Sequence, residues 1–441
     1  MFIIHRTISQ DILDALERMP VVFVNGPRQA GKSTLVQVLA KKSWPAVYIS
    51  FDEASQLGAA QANPESFLRG YTYEPQSALF DTDLFSALSG KRNLNKRALI
   101  LDEVQRAPEL FRALKIIVDE LRLEHKSAAN GRYLLTGSAN IMALPGLAEA
   151  LVGRMAIITL YPLSALEIVK GKGLFLGTLF ENGFQAKKSK EIDQSLVEIM
   201  LRATFPEITD QDDRERHRWF ESYITTILQR DVRQIANIEK LGALPNLLRI
   251  LASRAGGLLN EADIARSVGL NAVTTKSYRL LLRMMFLNFD VRPWYRNIGK
   301  RLIKAPKIYL TDTSLLCHLL QINLRKTAAG DSHKFGQVLE NFVASELLKQ
   351  LAHFDQQVEL LHFRTSDGKE VDFILQKPGG ALAGIEVKAK DNVGNDDFKG
   401  LREFQDQIGK DFACGVVLYR GNSLIPFGDK LWAVPVNALW A

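Results

Sequence analysis

Gly26-Pro27-Arg28-Gln29-Ala30-Gly31-Lys32-Ser33-Thr34 follows an apolar run, Val21-Val22-Phe23-Val24, and precedes a helical stretch, Leu35-Val36-Gln37-Val38-Leu39-Ala40. Strand, then G-x-x-x-x-G-K-S, then helix is the context in which a phosphate-binding P-loop occurs. Each residue type serves the chemistry. Gly26 and Gly31 let the backbone curl so that its N–H groups, those of Pro27 excepted, point inward at phosphate oxygens. The helix that follows adds its positive N-terminal end. Lys32 is placed to reach the β- and γ-phosphates, and the Ser33 hydroxyl to ligate Mg²⁺. The nine residues Gly26 to Thr34 are therefore expected to bind a nucleoside triphosphate.

Downstream, Ala46-Val47-Tyr48-Ile49-Ser50-Phe51-Asp52 reads as a strand, and Ala98-Leu99-Ile100-Leu101-Asp102-Glu103 as a buried parallel strand that delivers two carboxylates to its C-terminal edge. Asp102 is expected to hold Mg²⁺, and Glu103 to orient or deprotonate an attacking water. The next strand, Arg132 to Asn140, ends in polar residues. Thr136 and Ser138, and less well Asn140, suit the γ-phosphate sensor that AAA-type ATPases carry there. Arg154, just before a last apolar strand, Ala156-Ile157-Ile158-Thr159-Leu160, resembles the arginine finger of such assemblies. It would act on a neighbouring subunit's phosphates in a homo-oligomer, or within its own subunit, or else serve as an ion-pair partner.

The middle of the chain carries a helix-turn-helix signature. Asn260 can cap one helix, Gly269 makes the turn, and Asn271 caps the next. In a DNA-binding winged helix the exposed face of that second helix enters the major groove, and Thr275, Lys276 and Arg279 suit the task. Arg292, Arg296, Lys300, Arg301, Lys304 and Lys307 follow, interleaved with Trp294 and Tyr295, as in a wing whose cations sit on phosphates. A basic packing module would carry the same pattern.

In the last third, Glu370-Val371-Asp372-Phe373-Ile374-Leu375 and Ala383-Gly384-Ile385-Glu386-Val387-Lys388 read as two strands. Acid, thirteen residues, then acid-apolar-Lys is the spacing of a restriction-endonuclease-like site. Alternate strand residues share a face, so Glu386 and Lys388 point the same way and a hairpin brings Asp372 beside them. Asp372 and Glu386 would bind Mg²⁺, Glu340 from the preceding helix would add a carboxylate, and Lys388 would position the water. A solvated hairpin or an inactive scaffold is the alternative.

Composition sets bounds on this reading. The 441 residues carry a net charge of +7, which permits nucleic-acid binding without requiring it. No apolar run approaches the roughly 18 residues of a membrane span. The 2 cysteines and 7 histidines form no metal-ligand spacing, which argues against zinc and for a reducing cytoplasm.

The motifs together resemble a bacterial and archaeal family of AAA-type ATPases with a C-terminal restriction-endonuclease-like domain of unknown function. The resemblance spans nearly the whole chain: GPRQAGKST, LILDEVQRAPELF, LLTGSAN, LVGRM, RNIGKRLIKAPKIYLTDTSLL, LENFVASELLKQ, GKEVDFIL and GIEVKA. Ser314 departs from it, since relatives usually have Gly there. The resemblance implies ATP rather than GTP. The expected fold class is α/β: a P-loop AAA-type ATPase core over 1–165, a helical and winged-helix domain over 166–325, and a restriction-endonuclease-like α/β domain over 326–441. The expected function is Mg²⁺-dependent ATP hydrolysis coupled to DNA binding, remodelling or processing. The alternative is a nucleotide-dependent signalling switch whose nuclease-like domain is an inactive platform. A protein remodeller would need an exposed aromatic such as Tyr71 or Tyr73 in a pore loop.

Overall fold

A computed structural model describes residues 4–74, 94–95, 97–138, 151–181, 184, 195–228, 240–297, 299, 304–354, 357–365 and 367–441. The chain divides into two compact units, His5–Tyr161 and Pro162–Ala441.

In the first unit α1 (Ser9–Arg18) leads into β1 (Val21–Asn25), α2 (Lys32–Lys42), β2 (Ala46–Ser50), α3 (Ala54–Ala62) and α4 (Pro64–Thr72). Then come β3 (Ala98–Asp102), α5 (Leu110–His125), β4 (Tyr133–Gly137) and β5 (Met155–Thr159). The strands form one parallel sheet in the order β2-β3-β4-β1-β5. The inner strands β1, β3 and β4 are buried along their whole length, which is why they read as unbroken apolar runs. Alternate residues serve opposite faces: Phe23 and Leu101 pack on Phe111 and Leu114 of α5, while Val22, Val24 and Ile100 pack on Leu35 and Val36 of α2. The register places Asn25 beside Gly137 and Thr159, and Ser50 beside Asp102, so the polar strand ends share one edge. Neither Tyr71 nor Tyr73 meets the pore-loop expectation. Tyr73 is buried, and the Tyr71 ring packs edge-on against Phe67, 5.3 Å between centroids.

The second unit begins with α6 (Ala165–Val169), α7 (Phe175–Phe180), α8 (Leu196–Arg202), α9 (Asp213–Thr226), α10 (Leu244–Ser253), α11 (Glu261–Val268) and α12 (Ala272–Met284). The hairpin β6 (Asn288–Pro293) and β7 (Lys307–Leu310) precedes α13 (Thr313–Leu319), α14 (Leu324–Gly330) and α15 (Ser332–Leu351). The chain closes with β8 (Glu359–Arg364), β9 (Glu370–Gln376), β10 (Leu382–Lys388), α16 (Lys399–Ile408), β11 (Phe412–Tyr419), β12 (Ile425–Gly428) and β13 (Leu431–Pro435). Asn260 accepts from the Asp263 N–H and Asn271 from the Thr274 N–H, so both asparagines cap their helices. Gly269 between them has φ 73°, a left-handed turn that glycine adopts without strain.

One eight-stranded sheet, ordered β12-β13-β11-β10-β9-β8-β6-β7, runs through this unit. β8, β9 and β10 form an antiparallel meander, and α16 makes the crossover to the parallel β11. β6 joins β8 in parallel at Arg292–Leu361 and Pro293–His362, and the Trp294 N–H donates to the His362 carbonyl at 2.6 Å. The hairpin expected to be a separate wing therefore extends the C-terminal sheet, and position 325/326 lies inside α14. Among the described residues no helix is long and apolar enough to cross a membrane. Cys317 and Cys414 are both buried free thiols.

Candidate functional site

The loop between β1 and α2 is shaped by its glycines. Gly26 has φ 145°, and a Cβ there would lie 2.1 Å from the Leu160 carbonyl oxygen at the end of β5. Gly31, with φ 94°, starts α2. Lys32 is buried and its Nζ donates to the carbonyls of Gly26 at 3.0 Å and Pro27 at 2.8 Å. Ala30 is buried, Arg28 half-buried, and Gln29 and Thr34 exposed. From before α1, Arg6 donates to the Ala30 carbonyl at 2.8 Å and the Tyr161 carbonyl at 2.6 Å, tying the loop to the chain beyond β5.

Beside the loop, the Ser33 hydroxyl donates to Asp102 Oδ1 at 3.1 Å. Thr136 Oγ1, on the strand between, also donates to Asp102 Oδ1 and accepts from the Glu103 N–H at 3.2 Å. Thr136 thus ties the two acids together from the neighbouring strand. Tyr48 donates to Asp102 Oδ2 at 2.5 Å; burial first, and then its bond to Asp102, push the phenol up to about 12. Glu103 stands at φ 58°, and its carboxylate accepts from Gln105 Nε2, which also donates to Ser138 Oγ at 3.0 Å. Asn140 lies outside the described residues. Adjacent hydroxyl and carboxylate oxygens are hard donors, and Ser33 with Asp102 fits a magnesium ion.

Arg154 does not join this edge. Its backbone accepts from Val21 N at the start of β1, and its strand runs parallel to β1, so it sits about 17 Å of strand from Asn25. The guanidinium is paired with Asp119 of α5, Nε to Oδ1 at 2.6 Å and Nη2 to Oδ2 at 2.9 Å. Action within its own subunit is overturned by this register.

On α12, two of the three residues expected to face DNA point inward. Thr275 is fully buried and donates to the Asn271 carbonyl at 2.9 Å. Arg279 is 5% exposed and donates to Glu261 at 2.9 Å and to both Asp290 oxygens at 2.9 and 3.0 Å. Lys276 is exposed, alongside Val273, Ser277 and Arg283. Arg292, Arg296 and Lys304 are also exposed, whereas Trp294 is core, packed on Phe363 and Phe404. Lys300 and Arg301 lie outside the described residues.

Lys307 departs furthest from expectation. It is 2% exposed, with Nζ 3.1 Å from Glu340 Oε1, 3.2 Å from Asp372 Oδ1 and 3.9 Å from Glu370 Oε1. These carboxylates outweigh the cost of burial and hold its pKa above the ordinary lysine range. β9 and β10 bring Asp372, Glu386 and Lys388 together, and α15 adds Glu340. Each of these carboxylates is engaged within the protein. Asp372 Oδ2 accepts from the Val387 N–H at 2.9 Å, Glu386 Oε1 from Lys388 at 2.6 Å, Glu386 Oε2 from the Asp372 N–H at 3.3 Å, and Glu340 Oε1 from Tyr309 at 2.7 Å. Burial, and then the charge of Asp372, raise the pKa of Glu340 and of Glu386. Among the described residues no group of three His, Cys, Asp or Glu is placed to hold a metal ion. The expected Glu340, Asp372 and Glu386 metal set does not fit one, because lysine ammoniums already engage all three carboxylates.

Residues 18–169 match the family model described as an AAA domain. The core expected over 1–165 spans most of this match. The first unit is an AAA-type ATPase domain. Residues 193–326 and 335–439 match two further models, each described as a domain of unknown function (DUF8612 and DUF4143). An uncharacterized protein of Mycobacterium tuberculosis is 29% identical over 443 residues, covering 100% of this chain and 85% of that protein. One of Haemophilus influenzae is 24% identical over 362 residues, covering 80% of this chain and 79% of its own length. Among solved structures, a Walker-type ATPase of Pyrococcus abyssi aligns with a TM-score of 0.42 at 15% identity, covering 73% of this chain and 96% of that one. AMPPCP-bound DnaA from Aquifex aeolicus aligns with a TM-score of 0.26 at 15% identity, covering 64% and 89%.

In the AAA-type ATPase domain, sequence reasoning missed Tyr48, Gln105 and Arg6. Tyr48 carried a signal: it lies two residues before the C-terminal end of a strand, on the face Ser50 shares. Gln105 follows the acid pair by two residues, near enough to have been considered. Arg6 had no local signal, since its partners are 24 and 155 residues away.

Proposed function

We propose that this chain hydrolyses ATP with magnesium at the P-loop edge and binds DNA through the exposed face of α12 without cutting it. The observation that carries the first part is the 3.1 Å approach of Ser33 Oγ to Asp102 Oδ1. The loop N–H groups and Lys32 bind the triphosphate. Ser33 and Asp102 would hold magnesium, which when bound neutralises charge on the β- and γ-phosphates. Glu103 takes the proton of a water whose oxygen attacks the γ-phosphorus; the bond to the β-phosphate oxygen breaks and ADP leaves. Gln105 holds the Glu103 carboxylate toward Ser138, and Tyr48 and Thr136 fix Asp102. Arg154, turned to the opposite edge and paired with Asp119, is left to act on a neighbouring subunit.

Support for DNA comes from Lys276, Ser277 and Arg283 on the outer side of α12, with Arg292, Arg296 and Lys304 exposed nearby in sequence. The pairing of Lys307 and Lys388 with the acids favours a second reading for the rest of the unit, an inactive platform in a nucleotide-dependent switch. Steady-state ATPase assays on wild type, Lys32→Ala and Glu103→Gln, with and without Mg²⁺ and duplex DNA, test both. Turnover should require Mg²⁺, vanish in both variants and respond to DNA. A DNA-indifferent rate with no binding at low salt would sink the DNA part and leave the switch.

A further inference from the structure

The acid–acid–lysine constellation has a resident cation that its sequence spacing does not include. Lys307 comes from β7, on the edge of the sheet, and is separated from Asp372 by 65 residues. Its ammonium nevertheless lies within 3.2 Å of both Glu340 and Asp372, with Glu370 at 3.9 Å. This is a bridging position between a helix carboxylate and a strand carboxylate, the place a divalent ion takes in an oxygen-ligand site.

Two neighbours hold Lys307 there. The Leu310 N–H and carbonyl pair with the Asn341 side chain at 2.9 and 3.2 Å, which fastens β7 to α15 one residue from Glu340. Gly256, at φ 81°, closes the other side: a Cβ there would press on the Glu340 carboxylate at 3.2 Å. Removing water from so many charges is tolerable only because each carboxylate meets an ammonium or a donor.

We propose that Lys307 takes the place of a divalent ion: its ammonium bridges Glu340 and Asp372, closing a latent cation site between them, and the C-terminal sheet is assembled around this lysine instead of an ion. This stands apart from the ATPase reading and from DNA binding, since it concerns which cation balances the buried acids.

The test is Mn²⁺ binding to the nucleotide-free full chain, followed by electron paramagnetic resonance. Four proteins are compared: wild type, Asp372→Asn, Lys307→Met and Lys307→Met/Asp372→Asn. Subtracting each Asp372→Asn partner removes whatever the P-loop binds. Wild type should bind no Mn²⁺ that depends on Asp372. Lys307→Met should gain one Asp372-dependent ion per chain, at least about tenfold tighter than wild type. A wild-type ion lost on Asp372→Asn would overturn the proposal, and so would a folded Lys307→Met chain that gains none. Should Lys307→Met fail to fold, wild type against Asp372→Asn still decides, backed by the melting temperature. Any change of that temperature with excess Mn²⁺ or EDTA should be the same in wild type and in Asp372→Asn.

Discussion

Tyr48 Oη donates a 2.5 Å hydrogen bond to Asp102 Oδ2 across the pair β2–β3, leaving Oδ1 to face Ser33 and Thr136. The phenol therefore divides the two oxygens of one carboxylate between a structural and a ligand-facing role. Tyr48→Phe keeps the ring and frees Oδ2 to rotate. Its Mg²⁺ half-saturation for ATP hydrolysis should rise about tenfold, the usual cost of losing a partner behind a ligand. An unchanged Mg²⁺ titration would show that Asp102 is held without it.

Arg154 and its partner Asp119 form an ion pair whose side chains are 23% and 42% exposed, at the edge away from the P-loop. Such pairs stabilise by less than about 1 kcal/mol. Arg154→Ala should therefore melt near wild type and bind nucleotide normally. Hydrolysis per chain at high dilution should be unchanged, and any defect should appear only as concentration rises. A defect that persists at high dilution would contradict the register argument.

Arg279 and Lys276 of α12 should behave oppositely. Arg279→Ala leaves the partly buried Glu261 and Asp290 without the buried guanidinium, although Arg283 still reaches Asp290 at 3.0 Å, and should cost about 3 kcal/mol in urea unfolding. Lys276→Glu, on the exposed side, should leave unfolding unchanged and weaken duplex binding at low salt. Equal stability losses in the two variants would refute the assignment of faces.

His362 lies buried in β8 opposite Pro293, and burial first, then the charge of Lys307, pushes its pKa down from 6.5 to about 4. The unfolded chain takes up this proton below about pH 6.5 and the native chain only below about pH 4. The contribution is thus fully present above the unfolded pKa and is lost as pH falls through that window, up to about 3 kcal/mol. His362→Phe should flatten the fall in urea midpoint between neutral and acid pH. A slope equal to wild type would remove His362 from the account.

Much of this was readable from local pattern. The strand–loop–helix around Gly26 to Thr34, the apolar strand ending in Asp102, and the asparagine caps at 260 and 271 each depend on a few neighbouring residues. The face of α12 was readable too. Thr275, Tyr278, Arg279 and Leu282 repeat at i, i+3, i+4 and i+7, a core stripe in which the buried Tyr278 and Leu282 show the direction. Polar side chains at two of these positions drew attention to chemistry and away from the period.

Lys307 had no such signal. In the sequence it stands in a basic run, indistinguishable from Lys304, which is exposed. The sequence by itself determined the P-loop and its acids, because backbone curl and strand alternation are set over a handful of residues. Only the tertiary structure decided that one lysine of that run would be buried against Glu340 and Asp372 while its neighbour met water. Charges act through spatial distance and the dielectric around them, and neither is set by separation along the chain.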